Sequence, residues 1–198
     1  MSKVVAVEGS YRPGGNTDRL VEAVLEGARQ SGAETEIIHL IDHPIEFCTN
    51  CRQCTQAPGA DRQRCTKDDG LGALIERIEA ADALVFASPV NYWNTTAIFR
   101  RFLERTLGSA YWPWGQAAPK IRSKQRPRRA VLIATSAMPG LLIPLATGTA
   151  RALSLAAASF GARVVGRLWV GLRGQEPNPP LSPRTLARAR KLGHKLVG

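Results

Sequence analysis

The residues at positions 9–17 combine turn-forming glycines with side chains that bind anions. They read Gly-Ser-Tyr-Arg-Pro-Gly-Gly-Asn-Thr and follow the apolar run at residues 4–7. Glycine lets the backbone turn tightly and approach a ligand closely. The first amides and the positive dipole end of a following helix suit a phosphate, and we expect Asn16 or Thr17 to cap that helix. The segment therefore predicts a phosphate-binding turn whose side-chain donors are Ser10, Arg12, Asn16 and Thr17.

Two common nucleotide-binding loops do not fit this turn. A dinucleotide loop requires G-x-G-x-x-G, whereas serine and tyrosine follow Gly9. A P-loop requires G-x-x-x-x-G-K-[ST]; Gly9 and Gly14 have that spacing, but Gly15 and Asn16 stand where Lys and Ser/Thr belong. The turn thus argues against ATP hydrolysis and for the terminal phosphate of a mononucleotide. An ordinary strand–helix turn would explain the glycines but not the clustered donors.

All four cysteines lie in one segment. Cys48, Cys51 and Cys54 are separated by two residues each, and Cys65 follows after ten more. Four thiolates in one loop suit a [4Fe–4S] cluster, and a tetrahedral zinc ion uses the same ligands. A disulfide framework is not expected in a cytosolic protein. Cluster, zinc and free thiols are the three alternatives.

The phosphate turn resembles the G-S-x-R-x-x-G-N-T loop of the NADPH-dependent FMN reductase and iron–sulfur flavoprotein family. The resemblance implies a flavodoxin-like fold, FMN as cofactor and NAD(P)H as co-substrate. The cysteine triple and the Lys-Asp-Asp at residues 67–69 resemble the compact cluster motif of iron–sulfur flavoproteins. The gap before Cys65 is longer than the usual family spacing.

The elements that would position these residues alternate along the chain. Helical spacing of apolar residues predicts helices at 18–31, 70–80, 95–107, 145–160 and 184–196. Apolar, β-branched runs predict five strands, at residues 4–7, 34–41, 82–88, 130–136 and 163–170. Pro89 is expected to end the third of them. The alternation predicts one α/β domain over residues 1–198, with a five-stranded parallel sheet and helices on both faces. The resemblance implies the doubly wound flavodoxin order 2-1-3-4-5.

Two later turns should meet the phosphate turn, because ligands of a doubly wound sheet bind beyond the carboxyl ends of its strands. Residues 88–94 resemble the family loop along the flavin ring, and residues 135–140 match its third loop. A flavin needs an apolar slot and a few amide donors; Tyr92 or Trp93 would form the slot, unless they pack in the core or at a subunit interface. The predicted contacts of the ring are Pro89, Val90, Asn91, Tyr92, Trp93, Asn94, Thr135, Ser136 and Gly140.

Composition limits the remaining function classes. The formal net charge is +11, concentrated at residues 120–129 and 184–195, but no nucleic-acid-binding motif accompanies it. A solvated basic surface is therefore preferred over nucleic-acid binding. No signal peptide pattern opens the sequence. The apolar stretch 138–160 is interrupted by prolines and an arginine, so no membrane span is expected, and we expect a cytoplasmic protein.

These features predict an FMN-dependent oxidoreductase that passes electrons from NAD(P)H to a small-molecule acceptor: a quinone, an azo or nitro compound, or free flavin. No catalytic acid or base is expected, because the cofactor carries the hydride. One alternative is an iron–sulfur flavoprotein exchanging electrons with ferredoxin, and another is a non-catalytic flavin- or nucleic-acid-binding module. Relatives imply a homodimer or homotetramer, with Trp112 and Trp114 near the interface. His39, His43 and His194 are expected to be structural or at the surface.

Overall fold

A central parallel β-sheet organises the chain, whose computed structural model describes residues 1–198. Its strands are β1 (Lys3–Glu8), β2 (Glu34–His39), β3 (Ala83–Asn91), β4 (Arg128–Thr135) and β5 (Ala162–Val170). Their spatial order is β2, β1, β3, β4 and β5, and every neighbouring pair is parallel. The predicted order and the parallel pairing are confirmed.

Helices cover both faces of the sheet, as the alternation predicts. Successive side chains of a strand point to opposite faces, so Val4 and Ala6 enter one core cluster while Val5 and Val7 enter the other. The helices are α1 (Asn16–Gln30), α2 (Leu71–Glu79), α3 (Ala97–Glu104), α4 (Thr149–Ser159) and α5 (Pro183–Val197). Helices α1 and α5 pack on the first face, and α2, α3 and α4 pack on the second.

The predicted end of the third strand before Pro89 is wrong. Strand β3 continues to Asn91 and then pairs with the short antiparallel strand Asn94–Thr95. Tyr92 and Trp93 between them have φ values of 46° and 65°. A two-residue hairpin turn of type I′ requires positive φ at both positions. The chain therefore forms a tight hairpin here instead of an irregular loop.

The predicted helix at 145–160 is shorter than expected. A brief helical segment spans Ile143–Ala146, Thr147 is extended, and α4 starts at Thr149. The Gly148 N–H donates to Trp93 O at 2.9 Å, which ties this break to the hairpin. No single helix is long and apolar enough to cross a membrane. Only Gly140–Ala146 taken together with α4 has that length and composition, and the two segments are bent by 76°.

Candidate functional site at the carboxyl edge of the sheet

Four segments that are distant in sequence line one cavity of about 330 Å³ beyond the carboxyl ends of the strands. They are the turns after β1 and β4, the β3 hairpin with the start of α3, and the loop after β5. The predicted residues in its lining are Ser10, Arg12, Asn16, Thr17, Pro89, Val90, Asn91, Thr135 and Ser136. Tyr11 and Ala137 also line it and lie within the predicted turns at 9–17 and 135–140, although no individual role was predicted for them. Sequence reasoning missed the contributions of Thr96, Arg173, Gly174 and Pro177.

The other four predicted ring contacts lie outside this lining. Tyr92 is 95% exposed and Trp93 is 61% exposed, so neither aromatic packs in the core of this chain. Asn94 packs against Gly148, and Gly140 lies against the backbone of β5. A flavin contact for these residues stays a prediction.

The phosphate turn leaves the start of helix α1 open. The N-cap residue is Gly15, and no side chain caps the helix, so the expected capping by Asn16 or Thr17 is wrong. Both residues instead lie in the first turn. The first helical hydrogen bond runs from Arg19 N–H to Gly15 O at 2.9 Å. The backbone N–H groups of residues 16–18 therefore lack helical partners, and a bound anion can accept hydrogen bonds from them.

Hydrogen bonds within the chain hold this turn in place. Thr17 Oγ1 and Thr135 Oγ1 share a buried hydrogen bond of 2.8 Å, which joins the turn after β1 to the end of β4. Gly14 has a φ of 71° and donates its N–H to Asp18 Oδ2 at 2.6 Å. Asn16 Oδ1 is buried without a hydrogen-bond partner. A ribityl hydroxyl of FMN would satisfy this acceptor while the free amides take the phosphate, so the residues present fit the cofactor.

Helix α3 docks directly on the turn. The Thr96 Oγ1 hydroxyl donates to Gly9 O at 2.6 Å and accepts from Phe99 N–H at 3.3 Å, which caps the helix. A Cβ at Gly9 would come 2.7 Å from Phe99 Cβ. Only glycine permits this approach. A threonine before an apolar helical pattern is a common helix cap, and this pattern does not distinguish a site residue from a structural one.

The loop at residues 171–182 closes the cavity on the side of the phosphate turn. Arg12 Nη1 donates to Pro177 O at 3.2 Å, and Asn178 Nδ2 donates to Gly14 O at 3.5 Å. Arg173 donates to Gly171 O at 3.0 Å and Pro180 O at 2.9 Å, and it adds a second guanidinium to the lining. Nothing periodic in this loop indicates such a contact with a turn at the opposite end of the chain.

The four cysteines lie in the loop between β2 and α2. Burial, and then the neighbouring thiols of Cys65, Cys48 and Cys51, raise the pKa of Cys54, so the four groups share one neighbourhood. The pKa of Cys51 is lowered, chiefly by the backbone N–H of Gln53. No three of these sulfur atoms lie within 4.8 Å of one another. A tetrahedral zinc ion with bonds of about 2.3 Å would bring its sulfur ligands within about 3.8 Å of one another, so binding zinc would require these side chains to move closer together.

Cationic side chains support the cysteine loop. Arg105 Nη2 donates to Cys65 Sγ at 3.4 Å. Arg52 stacks between Trp112 and Trp114, at 3.7 and 4.2 Å from their ring centres. Arg122 donates to backbone carbonyls of the loop, including Cys54 O at 3.4 Å. Part of the basic segment 120–129 thus forms hydrogen bonds within the protein, so the expected solvated basic surface does not include Arg122.

The sequence profile of the NADPH-dependent FMN reductase family matches residues 2–142. An iron–sulfur flavoprotein of Archaeoglobus fulgidus is 33% identical over 122 residues, which are 62% of this chain and 50% of that protein. The chain spans about half the length of the curated relatives it matches.

Two solved structures share the fold over nearly the whole chain. The NAD(P)H:quinone oxidoreductase from Methanothermobacter marburgensis has a TM-score of 0.69 and 22% identity, and covers 99% of this chain and 96% of that chain. An FMN-dependent NADH-azoreductase from Bacillus anthracis, solved in complex with FMN, has a TM-score of 0.70 and 10% identity, with 100% of both chains covered.

Proposed function

Because the chain belongs to the NADPH-dependent FMN reductase family, we propose that it binds FMN in this cavity and transfers electrons from NAD(P)H to a small-molecule acceptor. The acceptor would be a quinone, an azo or nitro compound, or free flavin. The observation that carries the proposal is the uncapped start of α1 at the cavity, beside the orphan acceptor Asn16 Oδ1. FMN held there would supply the redox chemistry, namely acceptance of hydride from NAD(P)H and onward transfer of electrons.

The residues of the chain bind and orient the cofactor. The backbone N–H groups of residues 16–18 would donate hydrogen bonds to the phosphate, and Arg12 adds positive charge at the rim of the cavity. Pro89, Val90 and Asn91 line the cavity beside Thr135, where β3 and β4 run parallel. These two strand ends form the wall against which the ring would lie. Tyr92 and Trp93 would reach the ring only from outside this wall.

The experiment measures FMN affinity by fluorescence quenching and NAD(P)H oxidation with a quinone. Asn16→Asp keeps the side-chain shape but adds a negative charge beside the phosphate, so we expect at least about tenfold weaker binding, or about 1.4 kcal/mol. Gln30→Glu makes the same change at the other end of α1 and should leave affinity within about twofold. A wild-type protein that binds no FMN would overturn the proposal. An Asn16→Asp variant with unchanged FMN affinity would show that the phosphate does not bind at the start of α1.

A second candidate function rests on the shared neighbourhood of the four thiols. We propose that Cys48, Cys51, Cys54 and Cys65 bind a [4Fe–4S] cluster, with ferredoxin as electron partner. The N–H donors near Cys51 and the Arg105 guanidinium offset the negative charge of thiolates. Anaerobically purified protein should contain about four iron and four sulfide per chain and show a broad visible absorbance that dithionite bleaches. A spectrum of flavin alone, without iron, excludes this candidate.

We further propose that the chain forms a homodimer or homotetramer through the face beside the hairpin. Tyr92 and Trp93 are largely exposed there, although large apolar side chains usually favour burial. Leu145 is also largely exposed and lies three residues before Gly148, whose N–H bonds to Trp93 O. Light scattering coupled to size-exclusion chromatography should give a mass of two or four chains. Replacing Trp93 and Leu145 with glutamate should reduce that mass to one chain. A wild-type mass of one chain contradicts the proposal.

A further inference from the structure

Three potential metal ligands meet behind the phosphate turn. Glu8 and His39 are register partners at the carboxyl ends of adjacent strands β1 and β2, and Asp18 lies in the first turn of α1. One ligand atom from each residue can be chosen so that all three lie within 4.8 Å of one another. His39 Nδ1 lies 2.8 Å from Glu8 Oε2. Two carboxyl groups and one imidazole are thereby held in one cluster.

The cluster contains a buried carboxyl oxygen that receives no hydrogen bond from any N–H or hydroxyl donor of the chain. Glu8 is only 2% exposed, and its Oε1 has no hydrogen-bond partner. His39 is the only basic side chain that pairs with Glu8, and no lysine or arginine pairs with Asp18. A buried carboxylate without a compensating charge is strongly destabilising. The cluster therefore needs either a proton or a cation.

We propose that Glu8, Asp18 and His39 bind one divalent first-row transition metal ion. Carboxylate oxygen and imidazole nitrogen bind such ions at about 2.1 Å, so adjacent ligand atoms lie about 3 Å apart. The observed spread of the three residues needs only small side-chain movements to reach this geometry. Mixed carboxylate and imidazole ligands suit Mn²⁺, Fe²⁺ or Zn²⁺. The His39 side chain is 32% exposed, so an ion can enter from solvent and complete its coordination with water.

This site is separate from the cysteine loop in both place and chemistry. Thiolates are soft ligands, whereas oxygen ligands prefer harder ions such as Mn²⁺. Mn²⁺ is therefore the probe that tests the carboxylate cluster without loading the thiols. A proton shared between Glu8 and Asp18 is the competing explanation, since burial and then the charge and hydrogen bond of Asp18 raise the pKa of Glu8 to about 8.

The test titrates chelator-treated full chain with Mn²⁺ and follows free Mn²⁺ by electron paramagnetic resonance at pH 7.5. We expect one bound Mn²⁺ per chain and at least tenfold weaker binding by His39→Ala. His43→Ala removes a nearby histidine outside the cluster and should bind as the wild type does. Asp18→Asn should also weaken binding at least tenfold, because its amide oxygen can still accept the Gly14 N–H while the charge is lost.

Folding is checked in the same samples by thermal denaturation. Mn²⁺ should raise the melting temperature of the wild type and of His43→Ala, but not that of His39→Ala. Cys51→Ser should leave Mn²⁺ binding unchanged. The proposal is overturned if the wild type binds no Mn²⁺, if His39→Ala and His43→Ala bind it equally, or if Cys51→Ser abolishes binding.

Discussion

At the scale of single residues, arginine side chains stabilise the irregular parts of this protein. Arg62 donates to Glu79 and to the carbonyls of Thr106 and Ser159, and Arg122 and Arg128 likewise donate to backbone oxygens. One guanidinium offers five donors in a fixed plane. It can therefore satisfy several loop carbonyls at once, and part of the +11 charge is accounted for by these internal contacts.

Arg105 is a further arginine of this kind and is buried. Replacing its partner Asp69 tests how much their ion pair stabilises the fold. The two side chains are 1% and 8% exposed, and their closest contact is 2.7 Å. Burial alone would raise the pKa of Asp69, but hydrogen bonds from Arg105 and from Glu46 N–H lower it below its ordinary value of 3.8. Asp69→Asn leaves Arg105 buried and unpaired, so we expect unfolding at pH 7 to require about 3 kcal/mol less free energy.

The pH dependence of this loss follows from the direction of the shift. A carboxyl group whose pKa is lowered by folding contributes its stability above pH 3.8, and that contribution is lost as the pH falls through the folded value. The difference between wild type and Asp69→Asn should therefore shrink below pH 3.8 in urea denaturation experiments. Asp68→Asn alters an exposed neighbour and should cost less than about 0.5 kcal/mol. A constant difference at all pH values would contradict this account.

At the scale of elements, the β3 hairpin combines backbone strain with two exposed aromatic residues. Tyr92 and Trp93 both have positive φ, which costs a non-glycine residue of order 1 kcal/mol or more. Asn-Gly is the preferred pair for this turn. The double replacement Tyr92→Asn with Trp93→Gly should therefore raise the free energy of unfolding by about 1 kcal/mol, measured by chemical denaturation.

A matched variant separates strain from the aromatic rings. Tyr92→Ala with Trp93→Ala removes the rings but keeps side chains at positive φ, so it should bring no gain in stability. If the rings contact the flavin, both double variants should lose FMN affinity to the same extent. Equal stability of the two variants would show that the turn is unstrained.

The sequence predicted the elements well and their ends less well. The parallel sheet follows from alternating β and α patterns, each of which is local, and the strand order that the family resemblance implied was confirmed. The extension of β3 beyond Pro89 and the break at Gly148 depend on each other, since Gly148 N–H bonds to Trp93 O. Such a contact between distant segments leaves no periodic signal. For the same reason the loop at residues 171–182 was not recognised as part of the cavity.

At the scale of the whole molecule, the cavity exists only when the chain is fully folded. The phosphate turn comes from the first strand, Thr135 from the fourth, and Arg173 from the loop after the last. The Arg12–Pro177 and Asn178–Gly14 hydrogen bonds are the direct polar links between the phosphate turn and that loop, and both are exposed. A ligand that spans these segments should stabilise the fold more than either link does.

FMN should therefore stabilise the entire chain by mass action. At a concentration of 100 times its dissociation constant, a ligand that binds only the folded state adds about 2.7 kcal/mol. For a protein of this size that corresponds to a rise of roughly 5–10 °C in melting temperature. Riboflavin, which lacks the phosphate, is the matched control and should give a clearly smaller rise at equal concentration.

Limited proteolysis localises the same effect. Trypsin should cleave after Arg173 more slowly when FMN is bound, because the 171–182 loop then closes on an occupied cavity. Cleavage after Lys124, in the exposed part of the basic segment away from the cavity, should proceed at an unchanged rate. Equal protection by riboflavin and FMN would mean that the phosphate does not sit at the start of α1. Protection at Lys124 but not at Arg173 would place the ligand elsewhere on the molecule.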